Sequence, residues 1–163
     1  MRITQITFLL ILFSSYYSYG QITVENLKVD TSITGFHFAA DFRGTYVYTA
    51  NGKSDLNTLN PSAFSFSVMP NATYKDAKNE ITQLLKMSTS NGYTHSDIIQ
   101  KDTIVNGYKV YFTSLTETGY DYKNLLFHAF YIKENTAVVF VSGDLENGKY
   151  REKFKETFYK TRL

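Results

Sequence analysis

The chain has 163 residues, a formal net charge of +2 at pH 7 and no cysteine. This length fits one domain, and so balanced a charge is not the basic footprint of a nucleic-acid-binding protein. The lack of cysteine excludes disulfide bridges, zinc–thiolate sites, a cysteine nucleophile and the acylated cysteine that anchors a lipoprotein.

The first twenty residues have the layout of a secretory signal peptide. Arg2 supplies a positive charge, residues 8–13 (FLLILF) form a short apolar run, and small residues precede Gln21. The run is shorter than the about 20 apolar residues that cross a bilayer. We therefore expect a leader over residues 1–20 and one exported, soluble domain over residues 21–163. This domain would be periplasmic or extracellular, with neither a transmembrane segment nor a lipid anchor.

The first strands of the expected domain are predicted within residues 36–69. Residues 36–49 (FHFAADFRGTYVYT) contain two alternating segments separated at Gly44, which indicates two short strands and a turn. Residues 50–61 are rich in Asn, Gly and Ser and predict a loop. Residues 63–69 (AFSFSVM) alternate apolar and polar side chains and predict a third strand.

A helix is expected after Pro70. Thr73 and Asp76 have the spacing of a capping box, and Asn91-Gly92 is a typical helix end. The apolar residues that fall on one stripe of this helix should cover one face of a sheet: Tyr74, Ala77, Ile81, Leu84 and Leu85.

A hairpin is predicted over residues 94–115. Its turn is Asn106-Gly107, the strongest two-residue turn signal in the chain, because both positions tolerate a positive φ. The polar residues 116–124 (TETGYDYKN) around Gly119 predict a loop.

Residues 125–143 predict a second hairpin with its turn at Glu134-Asn135. Both faces of its first strand are apolar, so this hairpin should lie at the centre of the sheet, covered on both sides. Since strand side chains alternate, one face carries Leu125, Phe127, Ala129 and Tyr131, and the other carries Leu126, His128, Phe130 and Ile132.

A last helix is indicated by Tyr150, Phe154 and Phe158, which are spaced by four. Hairpins with helices segregated from them predict an α+β fold. We expect an antiparallel sheet built from hairpins, with one helix after the first strands and one C-terminal helix packed on it.

This order of elements resembles the PsbP/Mog1/DcrB-like fold. Four segments carry the resemblance: residues 64–85 (FSFSVMPNATYKDAKNEITQLL), 103–112 (TIVNGYKVYF), the late hairpin and 150–163 (YREKFKETFYKTRL). The aromatic-plus-proline opening usual in that fold is absent. The resemblance implies an antiparallel sheet flanked by helices, as in small lumenal and envelope proteins with accessory, assembly or interaction roles. It implies no catalytic residues.

The sequence offers little reactive chemistry. The histidines His37, His95 and His128 have no metal-ligand spacing, and no Asp or Glu is paired with them in a known sequence pattern. His128 is interpreted as a core histidine. Gly52-Lys53-Ser54 lacks the earlier glycine of a phosphate loop, because position 47 is valine. No cofactor and no metal are expected.

Four residues are predicted to take part in binding. Tyr120 and Tyr122 lie in the predicted 116–124 loop, and tyrosine gives a rigid surface with a polar tip. The alternative is that they fold back over the sheet edge. Arg151 and Lys153 belong to the basic last helix, where the alternative is an ordinary solvated helix face.

The sequence therefore favours an exported, non-enzymatic envelope protein that binds a protein partner in an accessory, assembly or immunity role, and not nucleic acid. The alternative is a small-molecule or lipid carrier that holds its ligand between the sheet and a helix, since the many Phe and Tyr residues could line such a pocket.

Overall fold

The computed structural model describes residues 23–55, 60–119 and 122–162. The leader predicted over residues 1–20 and its cleavage point lie outside the described residues, so both stay predictions.

One antiparallel sheet organises the described residues, and two helices pack on it. The strand order is β1-β2-β3-β7-β6-β5-β4. The strands are β1 His37–Asp41, β2 Thr45–Thr49, β3 Ser62–Pro70, β4 Thr94–Val105, β5 Tyr108–Gly119, β6 Tyr122–Lys133 and β7 Thr136–Asp144. The helices are α1 Tyr74–Ser90 and α2 Arg151–Lys160. The predicted α+β class, with one helix after the early strands and one at the C-terminal end, is confirmed.

The predicted central hairpin is also confirmed. β7 is the middle strand of the sheet and β6 lies beside it. The turn residues Glu134 and Asn135 have φ values of 49° and 58°, which is the left-handed pair that matches the twist of a tight hairpin. The two faces of β6 enter different cores, as the alternation predicted: Phe127 packs with α2 and Phe130 packs with α1.

Helix α1 begins and ends where the sequence predicts. The Asp76 amide donates to Thr73 Oγ1 at 3.2 Å, and the Thr73 amide donates to Asp76 Oδ2 at 2.9 Å, so Asp serves in the capping box where Glu is usual. Ala77, Ile81 and Leu84 are buried on the predicted stripe. This face of the sheet is called the α1 face below.

The opposite face of the sheet, called the α2 face below, is covered by an aromatic core. The Phe64 ring of β3 stacks on Tyr48 at 4.8 Å and on Phe140 at 5.5 Å between ring centroids. Phe154 of α2 meets Phe64 edge-on at 5.7 Å, and Phe158 lies 5.7 Å from Phe140. Such pairs add about 0.5–1.5 kcal/mol each beyond the burial of their surface.

The predicted loop over residues 116–124 is wrong. β5 continues to Gly119 and β6 begins at Tyr122, so the described part of this segment is strand. Gly119 suggested a turn, yet its role is close packing: a methyl group at this position would overlap the ring of Tyr93. The missing side chain makes room for an aromatic ring on the strand.

The substitution Phe130→Asp should prevent folding. Phe130 has no exposed surface and contacts Tyr74 and Tyr111 at centroid distances of 5.0 and 5.7 Å. An unpaired carboxylate there costs several kcal/mol, comparable to the total stability of about 5–15 kcal/mol of a domain. Circular dichroism would show loss of secondary structure. Ile104→Asp, at a residue that is 75% exposed, is the matched control and should fold. A folded Phe130→Asp protein would contradict the central placement of β6.

Candidate functional site

Among the described strands and helices, the outer strand β4 carries the most exposed large apolar side chains. It has twelve residues, and no described strand lies beyond it in the sheet. Ile98, Ile99 and Ile104 are 54%, 53% and 75% exposed. The other outer strand, β1, has only five residues and an irregular register between Phe38 and Ala40. Short, irregular edges resist pairing with other chains, whereas long ones invite it.

A bulge divides β4 into two parts. Ser96 pairs with Thr116 and Ile99 pairs with Ser114, so two residues of β4 stand opposite one residue of β5. Asp97, the first bulged residue, has a φ of 52°. Hydrogen bonds from the Thr116 and Ser96 hydroxyls lower the pKa of the Asp97 carboxyl, with smaller contributions from the charges of Lys123 and Arg151. The regular part of the edge therefore runs from Ile99 to Val105.

Arg151 lies beside this edge, and Lys153 does not. The Arg151 guanidinium donates from Nη2 to Ser114 Oγ at 2.9 Å, and Ser114 is the partner of Ile99 in the ladder. Its Nε is buried without a hydrogen-bond partner in the described part of the chain. Lys153 is exposed and lies over the ring of Tyr150 at 5.8 Å. Of the two predicted helix residues, only Arg151 reaches the edge.

Tyr122 does not join Arg151 in one site. Tyr120 lies outside the described residues. Tyr122 is half-buried on β6, and its ring lies 5.7 Å from that of Tyr93. It pairs with Gly119 and points to the α1 face, whereas Arg151 lies on the α2 face. The binding role predicted for Tyr122 stays a prediction.

A polar cluster that the sequence did not predict joins α1 to the first part of β4. His95 Nε2 lies 3.1 Å from Ser88 Oγ and 3.3 Å from Glu117 Oε2. The Ser88 hydroxyl also donates to Glu117 Oε2 through a short hydrogen bond. His95 and Glu117 are opposite each other in the ladder. We call these residues the Ser88–His95–Glu117 cluster.

The geometry of the Ser88–His95–Glu117 cluster suits fastening better than catalysis. In a catalytic triad the serine and the carboxylate contact different ring nitrogens of the histidine. Here both contact the same nitrogen, and Ser88 is only 2% exposed, so a substrate could not reach its hydroxyl. The cluster holds the end of α1 against β4 and β5.

His128 is the other unusual titratable group. Its ring is buried, and neither nitrogen has a hydrogen-bond partner among the described residues. Burial, with a smaller contribution from the charge of His95, lowers the pKa of His128 to about 4. The sequence interpretation as a core histidine agrees with this position. Its partners across the ladder are Thr113 and Val141.

A shallow cleft lies between the β4–β5 turn and the end of α2. Counted with the open solvent at its mouth, its empty volume is ≈ 240 Å³, less than the about 300–1,000 Å³ of ligand pockets. The hydroxyl of Tyr131 is buried there without a hydrogen-bond partner in the part of the chain that is described. Burial raises the pKa of this phenol, and the charge of Arg162 opposes the shift.

Two further features of the described residues bear on function. No helix among them is long and apolar enough to cross a membrane. No three of their His, Asp or Glu side chains are grouped as the ligands of a metal ion would be.

Comparison with known proteins gives a fold. Cyanobacterial PsbP (CyanoP) from Synechocystis sp. PCC 6803 is similar with a TM-score of 0.51 and 12% identity, over 90% of this chain and 98% of CyanoP. This chain has a PsbP-like fold. A protein of unknown function from Pseudomonas aeruginosa, PA94, has a TM-score of 0.45 and 9% identity, over 61% of this chain and 70% of that protein. No family model and no curated protein sequence matches the chain.

The PsbP-like resemblance predicted from the sequence is thus confirmed for the fold. At 12% identity the likeness to CyanoP concerns the fold alone. It assigns neither a partner nor a site to this chain.

His128 should make the stability of the protein depend on pH. The unfolded chain takes up a proton on this ring below the ordinary pKa of 6.5, whereas the folded chain resists until the pH reaches about 4. The stability that neutral His128 contributes is therefore complete above pH 6.5. It is lost as the pH falls from 6.5 to about 4, by about 3 kcal/mol. Urea unfolding at several pH values measures this loss.

Two variants isolate the contribution of His128. His128→Leu removes the titrating ring and should flatten the fall in the free energy of unfolding between pH 6.5 and pH 4. His37→Gln, at an exposed histidine, should keep the wild-type profile. Parallel profiles for wild type and His128→Leu would contradict the buried, unpartnered position of this ring.

Proposed function

We propose that this chain is an exported, non-enzymatic protein that binds a protein partner, in an accessory, assembly or immunity role. The observation that carries the proposal is the exposure of Ile98, Ile99 and Ile104 on one outer strand. Single exposed apolar residues are ordinary, but a long outer strand that carries three of them offers another chain unpaired backbone groups together with apolar side chains.

Export rests on the leader pattern of residues 1–20, with its positive charge, short apolar run and small residues before Gln21. The expected mature product begins at Gln21. A periplasmic or an extracellular position fits this pattern equally well.

The geometry of the polar side chains supports a role without catalysis. The Ser88–His95–Glu117 cluster is the closest approach to a nucleophile with a base in the described chain, and its serine is buried. Its contacts are those of a structural fastening between α1 and the sheet.

The carrier alternative is less well supported, because aromatic rings of both helices contact rings of the sheet. Tyr74 of α1 lies 5.0 Å from Phe130, and Phe158 of α2 lies 6.1 Å from Phe127, measured between ring centroids. Close ring contacts of this kind leave the helix–sheet interfaces packed as in an ordinary protein interior.

Co-purification tests the proposal. The full chain, with its own leader and a tag after Leu163, would be expressed in its native host and purified from the envelope fraction and the medium. We expect one protein partner in a fixed ratio, which forms a complex of the same ratio when both purified proteins are mixed and analysed by light scattering.

Native mass spectrometry and activity assays of the same preparation give the outcomes that would contradict the proposal. A chain without a protein partner but with an additional small-molecule mass would replace the proposal with the carrier alternative. A chain that alone turns over members of a hydrolase substrate panel would contradict the absence of catalysis.

A further inference from the structure

The backbone of the regular part of β4 has a definite free side. The turn at Asn106 and Gly107 has φ values of 52° and 82°, and a two-residue turn of this type is closed by a hydrogen bond between its flanking residues, Val105 and Tyr108. Bonded and non-bonded pairs then alternate along an antiparallel ladder. Ile99, Lys101, Thr103 and Val105 therefore bond to β5, whereas Gln100, Asp102 and Ile104 direct their N–H and C=O groups away from the sheet.

The side chains of the outward-directed residues lie on the α1 face. Ile104 pairs with Lys109, and Asp102 pairs with Tyr111, whose ring packs with α1. Lys101 pairs with Phe112 and therefore lies on the α2 face. A strand added to this edge would meet Ile104 on one face and Lys101 on the other, because facing side chains in adjacent strands interact.

The charges around the free edge are not balanced. Asp102 forms an ion pair with Lys78 at 3.5 Å, and Asp97 is held by the hydroxyls of Ser96 and Thr116. Among the residues that the structure describes, no carboxylate forms an ion pair with the exposed Lys101 or Lys109. Lys109 lies over the Tyr74 ring at 4.0 Å, so Lys101 is the cation that this edge offers to an incoming chain, while Asp97 and Asp102 are already engaged.

From these features we infer that β4 binds its partner by strand addition, and that the partner contributes an extended acidic segment. This inference rests on the proposed function. The segment pairs with Gln100, Asp102 and Ile104, carries an apolar residue beside Ile104 and carries Asp or Glu beside Lys101. Because the bulge at Asp97 ends the regular edge, the paired segment has about five to seven residues.

A second copy of this chain suits the edge less well. Two copies related by a two-fold axis perpendicular to the sheet pair β4 with β4 antiparallel. With the axis at Asp102, the middle of the free segment, Asp102 stands opposite Asp102. With the axis one residue along, at Lys101, Lys101 stands opposite Lys101. Like charges directly opposite each other destabilise a strand pair.

One substitution separates backbone pairing from side-chain contact. Gln100→Pro removes an N–H that points away from the sheet, and proline is tolerated on the solvent side of an edge strand. Gln100→Ala is its matched control, since alanine keeps the N–H.

Lys101→Glu tests the charge, with Lys53→Glu as the control at an exposed lysine far from β4 in the sheet order. Circular dichroism and thermal unfolding confirm that each variant is folded.

The probes are the partner recovered by co-purification and a synthetic peptide of the partner segment that cross-links to a photoreactive residue at position 101 of the full chain. We expect Gln100→Ala and Lys53→Glu to bind like wild type. Gln100→Pro should bind about tenfold more weakly or worse, as expected for lost hydrogen bonds. Lys101→Glu should also weaken binding, and raised salt should lower wild-type affinity.

The remaining outcomes distinguish a failure of strand addition from a failure of the proposed function. If Gln100→Pro and Lys101→Glu bind the partner like wild type, strand addition is wrong while the proposed function stands. A cross-linked segment that is basic or helical also overturns it. A dimer of this chain that Gln100→Pro dissociates replaces the acidic partner with a second copy. If Gln100→Pro is unfolded, the affinity of Lys101→Glu for the partner decides whether the strand-addition inference stands. If no protein partner exists, the proposed function fails and this inference fails with it.

Discussion

The ladder between β3 and β7 is the constraint on which the rest of the sheet depends. Strands β1 to β3 form one series of neighbours, strands β4 to β7 form another, and this ladder alone joins the two in the described sheet. Its first pair, Ser62 and Asp144, is 82 residues apart in sequence and is bonded through the side chains at 3.2 Å. The buried Asp144 carboxylate also accepts from the Tyr150 amide at 2.7 Å, so the end of the ladder fixes the start of α2.

This junction decides which parts of the molecule are covered. Once β3 pairs with β7, the apolar hairpin of β6 and β7 lies in the middle, and α1 and α2 close its two faces. Helix α1 connects β3 to the far side of the sheet, where the Ser88–His95–Glu117 cluster and the Lys78–Asp102 ion pair fasten β4 from within. The outward-directed N–H and C=O groups of β4 therefore stay exposed at the edge of a sheet that its other contacts hold in place. That combination suits the proposed binding role, because a rigid edge loses little conformational entropy when another strand pairs with it.

Local signals predicted most of the elements. The capping box before α1 and the two-residue turns of both late hairpins depend on a few neighbouring residues, so the sequence alone predicted them. Long-range pairing was not predicted, and neither was the strand around Gly119, where packing outweighs turn propensity. The contact of His95 with Glu117 shows the same limit. Counting back from the turn places His95 opposite Thr118, and only the extra residue in the bulge at Asp97 moves its partner to Glu117.

Residue-resolved hydrogen exchange of the purified chain tests the free edge most directly. In an antiparallel edge strand, only the amides that point into the sheet are protected. The account predicts slow exchange at Ile99, Lys101, Thr103 and Val105, and fast exchange at Gln100, Asp102 and Ile104. Amides of β3 and β7 should be the slowest of all, exchanging only when the whole domain unfolds. Uniform protection along β4 would mean that its outer side is already paired, and would contradict the account.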